Sequence, residues 1–243
     1  MNEANGADKE RQKAEKQKIK KEKRRLRSFK AVFNILHGVY YVCLSLLFPF
    51  KRYGNKRRFN DREYIFVSNH LSWLDVFPCA LATSKPVHFI CKKQLENSAA
   101  GRWVVKMCQC IPVSRDGTDV GAVMQSIRYL KNGESLAIFP EGTRNKTDDI
   151  FLPFKSGAAM ISIKTKTPIV PVVMAKKMRI FRRVRIFYGD PIEFTDYYDK
   201  KLTAQDVENC DSILKEKMIE MYREVNGGKL TLNTVTDEET EIK

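Results

Sequence analysis

Two residues five positions apart, His70 and Asp75, and a loop carrying Glu141, Gly142, Thr143 and Arg144 have the types and spacing for chemistry. Imidazole is the side chain that titrates nearest neutral pH, and a carboxylate beside it fixes its tautomer and stabilises its protonated form. If Ser72 caps a following helix, Asp75 falls in the first turn and folds back toward His70. On Ser68-Asn69-His70-Leu71-Ser72-Trp73-Leu74-Asp75 alone, a buried structural His and a helix-capping Asp fit equally well.

The second segment, Phe139-Pro140-Glu141-Gly142-Thr143-Arg144, delivers phosphate-binding parts within four residues of a strand end. Arg presents a planar fork to phosphate oxygens, and Gly lets backbone N–H groups approach an anion that Thr143 can also contact. Glu141 cannot bind phosphate directly, so its carboxylate is expected to hold the loop or Arg144 in place. A plain turn with a solvated Arg would look the same in isolation. The two segments together point to a His/Asp site facing an anion.

Both sit where a strand should end. Tyr64-Ile65-Phe66-Val67 and Ser135-Leu136-Ala137-Ile138-Phe139 have the composition of buried strands, and catalytic side chains commonly stand on loops at strand ends. Val87-His88-Phe89-Ile90-Cys91, Ile111-Pro112-Val113 and Ile169-Val170-Pro171-Val172-Val173 read as further strands. Residues 183–188 alternate basic with apolar, as a half-exposed edge strand does. Between them lie helical patterns: residues 73–83, which Pro78 must kink or shorten; a stretch holding Ala99, Trp103, Val104 and Met107; and one with a Thr118 or Asp119 cap and an apolar stripe of Val120, Val123, Met124, Ile127 and Leu130. Residues 156–164 and a polar amphipathic stretch over 203–225 complete the set. Strand-helix alternation of this kind predicts an α/β fold, a mostly parallel mixed sheet flanked by helices.

The 243 residues carry a net charge of +15, and 43% are hydrophobic, enough for a core. The charge is not spread evenly: residues 1–60 hold 17 Lys/Arg against 5 Asp/Glu. A run from 9 to 30 has twelve Lys/Arg. It is followed by residues 31–50, free of charge and, at roughly 1.5 Å per helical residue, just long enough to cross a bilayer. Basic flanks on both sides give no preferred orientation, and Asn34, His37, Gly38, Tyr41 and Ser45 form one polar or small stripe. Monotopic attachment to an anionic membrane surface is therefore expected ahead of a full crossing, with the protein on the cytoplasmic face. The expected organisation is a basic arm plus apolar anchoring helix over 1–58, a catalytic domain over 59–228 and a flexible acidic tail over 229–243. The six cysteines lack metal-binding spacing and read as reduced thiols. Aromatics do not interleave with the basic run, which argues against nucleic acid.

The four segments in order resemble the 1-acylglycerol-3-phosphate acyltransferase family of glycerolipid acyltransferases. Asn69-His70-x4-Asp75 matches the first block, and Lys92-Lys93-Gln94-Leu95 through Ile111-Pro112-Val113-Ser114-Arg115 the second. Phe139-Pro140-Glu141-Gly142-Thr143-Arg144 matches the third, and Ile169-Val170-Pro171-Val172-Val173 the fourth. Departures fall at Gln94, Gln109 and Ser114, where members often have Glu, Gly and Asp. The resemblance implies a glycerophospholipid acyltransferase-like fold and acyl transfer from a thioester to the sn-2 hydroxyl of lysophosphatidic acid, giving phosphatidic acid. Catalysis would fall to His70 and Asp75, and substrate binding to Arg115, Glu141, Gly142, Thr143 and Arg144. No cofactor or metal is implied; acyl-coenzyme A or acyl-acyl carrier protein is the co-substrate. Two alternatives stay open, a same-family enzyme with another lipid acceptor and a non-catalytic module binding anionic membranes.

Overall fold

The computed structural model describes residues 46–107, 110–113, 120–147, 149–155 and 157–227, and from Leu47 onward they belong to one compact unit, Leu47–Lys243. Outside the described residues lie the basic arm, the apolar segment up to residue 45, Arg115, the Thr118 or Asp119 cap and the acidic tail. Among the described residues no helix is long and apolar enough to cross a membrane.

Among the described residues seven strands form one sheet: β1 (Phe50–Gly54), β2 (Ile65–Ser68), β3 (Val87–Lys92), β4 (Ile111–Val113), β5 (Ser135–Ile138), β6 (Ile169–Met174) and β7 (Val184–Tyr188). Their order is β1-β7-β6-β2-β5-β3-β4. From β6 to β4 every pairing is parallel, while β7 runs antiparallel to β6 and carries β1 parallel beside it. This is the mostly parallel mixed sheet that the alternation of strands and helices implies. The central strands β2, β5 and β6 are buried at every residue. Helices cover both of their faces, so their sequences are continuous apolar runs without alternation.

Among the described residues there are five α-helices: α1 (Val76–Leu81), α2 (Ala99–Met107), α3 (Val120–Lys131), α4 (Ala158–Thr165) and α5 (Ala204–Val225). Ile65 and Val67 of β2 join Ala158, Ile161, Leu214, Met218 and Tyr222 of α4 and α5 in the main core. Phe66, between them in sequence, points to the opposite face, where it meets Phe59 edge to face at 5.8 Å between ring centroids. Pro171 is tolerated inside β6 because the antiparallel ladder to β7 starts only at Val172. On that side its missing N–H has no strand partner to lose.

Two sequence expectations change and one is sharpened. Residues 183–188 are not an edge: β1, which composition alone assigns to the basic flank of the anchoring segment, pairs outside β7. Pro78 shortens the helix expected over 73–83 and does not kink it: residues 73–75 form a separate 3-10 turn, and Pro78 lies in the first turn of α1. In α3 the buried face is Ala122, Ser126 and Leu130, whereas Val120 and Met124 face outward. Small side chains let the helix approach closely, and the Ser126 hydroxyl donates to the Ala122 carbonyl at 2.8 Å, so its burial leaves no polar group unpaired.

Candidate active site

β2 ends at Ser68 in the middle of the sheet, and the two residues that follow are held by the strands on either side. Asn69 is fully buried. Its side-chain amide donates to the Met174 carbonyl at 3.1 Å and its oxygen accepts the Met174 N–H at 2.9 Å, extending the β2–β6 ladder by one side chain. On the other side, the His70 N–H donates to Glu141 Oε1 at 2.9 Å, and the His70 carbonyl accepts the Asn145 N–H at 2.7 Å. The backbone of His70 is thus fixed before its ring is considered.

Ser72 caps the 3-10 turn Trp73–Asp75 with a complete capping box: its hydroxyl accepts the Leu74 N–H at 3.2 Å and donates to Asp75 Oδ1 at 2.7 Å. This turns the Asp75 carboxylate back on its own loop. Oδ2 receives the backbone N–H groups of Leu71 and Ser72 and lies 3.1 Å from His70 Nδ1. Asp75 is fully buried, and the His70 side chain is 18% exposed. A buried carboxylate is costly unless its lone pairs are filled, and here they are. The His70 ring also stacks on Phe139 at 4.2 Å and 17°. With Nδ1 toward Asp75, Nε2 is the ring nitrogen without a partner among the described residues and is available for proton transfer.

The loop after β5 makes the other half. Glu141 is buried, and its second oxygen accepts the Leu152 N–H at 3.1 Å. It therefore holds the His70 loop and the 150s loop together, which is the loop-holding role expected of it. Burial pushes the Glu141 carboxyl above its ordinary value of 4.5, against the lowering pull of the two N–H donors. Gly142 sits at φ +63, and its N–H donates within the turn to Phe139 at 3.0 Å. Its N–H is therefore not open to an anion. What Gly142 provides is the positive φ of the turn, which a side chain would strain; a Cβ there would meet only the flexible end of Lys155 at 3.0–3.2 Å.

Thr143 is exposed beside it, and Arg144 crosses to the first loop, its guanidinium 4.7 Å from the centre of the Trp73 ring. That contact holds the guanidinium plane while leaving its N–H edges unpaired by any carboxylate among the described residues. Arg115 lies outside the described residues. Lys93 is exposed at the start of a 3-10 turn, as expected for a solvated lysine. Asn69, Asn145, Trp73 and Lys155 gain roles from their contacts; only their position within or beside the two motifs could have marked them.

Other candidates are excluded by their surroundings. His88 is fully buried at the amino end of β3, stacked on Tyr129 and paired with Glu134. Cys79, four residues past Asp75, has no exposed surface, and burial together with the Asp75 charge pushes its thiol far up, away from the thiolate a nucleophile needs. Among the described residues no group of three His, Cys, Asp or Glu is placed to hold a metal ion.

An imidazole pinned at Nδ1 by a buried carboxylate, with a guanidinium stacked on the same loop's Trp73, at the carboxyl edge of a mostly parallel sheet defines an α/β protein with a His/Asp pair of the acid–base type. The acyltransferase family model matches residues 50–175, and the chain belongs to that family. It is 35% identical over 156 residues to a 1-acyl-sn-glycerol-3-phosphate acyltransferase of Streptococcus pneumoniae, covering 61% of this chain and 56% of that protein. To the Bacillus subtilis protein of the same description it is 28% identical over 163 residues, covering 64% of this chain and 80% of that one. The chain thus spans little more than half of the first relative's length. The crystal structure of the 1-acyl-sn-glycerophosphate (LPA) acyltransferase PlsC from Thermotoga maritima superposes with a TM-score of 0.57 at 21% identity, over 82% of this chain and 78% of that one, and shares the fold.

The fold binds the Glu141 proton more tightly than the unfolded chain does. The group therefore stabilises most at acidic pH, and its contribution is lost as pH rises from the ordinary glutamate value through the raised one. In Glu141→Gln this slope should vanish. Urea unfolding from roughly pH 4 to pH 7 should show the native protein losing stability relative to the variant; parallel curves would contradict the assignment.

Proposed function

We propose that this chain transfers a fatty acyl group from a thioester donor to the sn-2 hydroxyl of 1-acylglycerol 3-phosphate, forming phosphatidic acid in phospholipid biosynthesis. The observation that carries the reading is the fixed His70–Asp75 pair, with Nε2 unengaged and Arg144 paired to no carboxylate among the described residues. The activity for which the two bacterial relatives are named supports the acceptor.

In the proposed reaction the acceptor phosphate lies against the Arg144 fork and the Thr143 hydroxyl, with Arg115 as a further candidate. This sets the free hydroxyl near His70 Nε2. As that oxygen attacks the thioester carbonyl, its proton passes to Nε2, and the Asp75 carboxylate stabilises the imidazolium that forms. The tetrahedral intermediate collapses by breaking the carbon–sulfur bond, and the thiolate takes the proton back from Nε2. No nucleophilic Ser or Cys is required, in keeping with the buried, protonated Cys79. Donor thioesters of coenzyme A and of acyl carrier protein both fit this chemistry.

Membrane-bound substrate also gives the N-terminal region a purpose. The twelve Lys/Arg of residues 9–30 and the uncharged run after them support attachment to an anionic, cytoplasmic membrane face. A chain lacking residues 1–45, which leaves β1 whole, should sediment less with anionic vesicles; undiminished sedimentation would overturn this role.

His70→Ala should lower turnover by about 10²–10⁴-fold, the usual contribution of positioned acid–base catalysis, while lipid binding persists. Acid quench during turnover should trap no acylated protein, and recovery of one would overturn direct transfer. Arg144→Lys keeps charge but loses the fork, so the acceptor KM should rise by roughly tenfold, the equivalent of one lost charge-assisted hydrogen bond, with the donor KM unmoved. Unchanged acceptor kinetics would remove Arg144 from the site.

A further inference from the structure

The connection from β6 to β7 carries a feature that acyl transfer does not use. Residues 175–189 contain six Lys/Arg (176, 177, 179, 182, 183 and 185) and no Asp or Glu. Arg179 to Arg182 close a tight turn, the Arg182 N–H donating to the Arg179 carbonyl at 3.2 Å. At its tip Ile180 is 58% and Phe181 74% exposed, and the Phe181 N–H donates to the carbonyl of Leu47, itself 42% exposed, at 2.7 Å. Met178 and Phe48, one to three residues away along each strand of chain, are buried. Each segment therefore puts one apolar residue into the core and leaves the next ones outside.

Phe181 adopts φ +56. The third position of such a turn favours Gly or Asn, because a Cβ at positive φ crowds the backbone. Local folding would not select an exposed Phe there, and a bulky side chain kept in a strained, solvent-facing conformation points to a use outside the fold.

We infer that the Ile180-Phe181 tip, with Leu47 beside it, inserts into the interface of an anionic lipid leaflet while the surrounding Lys and Arg meet its headgroups. Exposed aromatic and aliphatic side chains ringed by cations are the pattern of an interfacial membrane contact. An acidic protein partner would answer the charge but leave the apolar tip in water. The position has a consequence for chemistry. β6 ends at Met174, which both arms of the Asn69 side chain bind, and the next residue is His70. The tip thus leaves the sheet from the edge that holds His70, and a leaflet touching Phe181 lies on that edge. A lysophospholipid can then reach His70 without quitting the membrane.

The contact stands independently of acyl transfer and can be tested apart from it. In the full chain carrying F181W, vesicles of phosphatidylcholine and phosphatidylglycerol with brominated acyl chains should quench fluorescence beyond that of the unsubstituted chain. Neutral vesicles should do so less. Equal quenching in both proteins overturns the proposal. The pair Ile180→Ser and Phe181→Gly, whose glycine relieves the positive φ and so favours folding, should raise the apparent KM for vesicle-borne lysophosphatidic acid by about 100-fold or more, as losing the lipid burial of two apolar side chains implies. The KM for the same acceptor in detergent micelles should not change. Equal loss in both media, or loss confined to acyl carrier protein donors, would overturn the membrane assignment. If the unsubstituted chain transfers no acyl group, the function fails while the quenching result still decides the contact.

Discussion

The site depends on the burial of one carboxylate. Asp75 has no exposed surface, and it is stable there because the Leu71 and Ser72 N–H groups, the Ser72 hydroxyl and the His70 ring all converge on it. Those donors come from the same short loop, so solvating the carboxylate and shaping the loop are one event. A buried charge left unpaired costs several kcal/mol, on the order of a whole domain's stability margin. The loop is therefore bound to its conformation by the same contacts that orient the imidazole.

The remaining strand ends reinforce this from outside. Asn69 joins β2 to β6 through both of its amide groups, and Glu141 joins the end of β5 to the His70 backbone. Three adjacent parallel strands thus end in a cross-linked edge, where polar side chains complete the hydrogen bonding that the ladder abandons. Glu141 has the cost that its environment suggests, a carboxyl raised by burial in spite of two N–H donors. Its side chain holds the ring's backbone, and Arg144, stacked on Trp73, bridges the two loops.

The same edge faces two kinds of environment. Within the site, the polar network excludes alternatives for the His70 ring and leaves one nitrogen open. A few residues away, the turn of residues 179–182 is apolar at its tip and basic around it. A water-soluble acceptor would need only the first. For a lipid acceptor both are useful, since the phosphate seeks cations and the acyl chain seeks hydrocarbon.

The sequence by itself determined the strand-helix alternation and the buried central strands, and it made the His70–Asp75 pairing one of two readings that fitted equally well. Each is local: a run of Ile, Val and Leu is legible as a covered strand, and the Ser72 capping box turns Asp75 back within four residues. Tertiary structure alone decided the matters that depend on distant partners. β1 becomes a strand because β7 offers an unpaired edge to a segment whose composition reads as a basic flank. Ala122 and Ser126 become the buried face of α3 because close approach to the sheet favours small side chains over the larger Val120 and Met124. Glu141 became a clamp on His70, across 71 positions of sequence, because parallel pairing of β2 with β5 brings their carboxyl ends together. No pattern along the chain encodes that neighbourhood, since it is the sheet order that creates it.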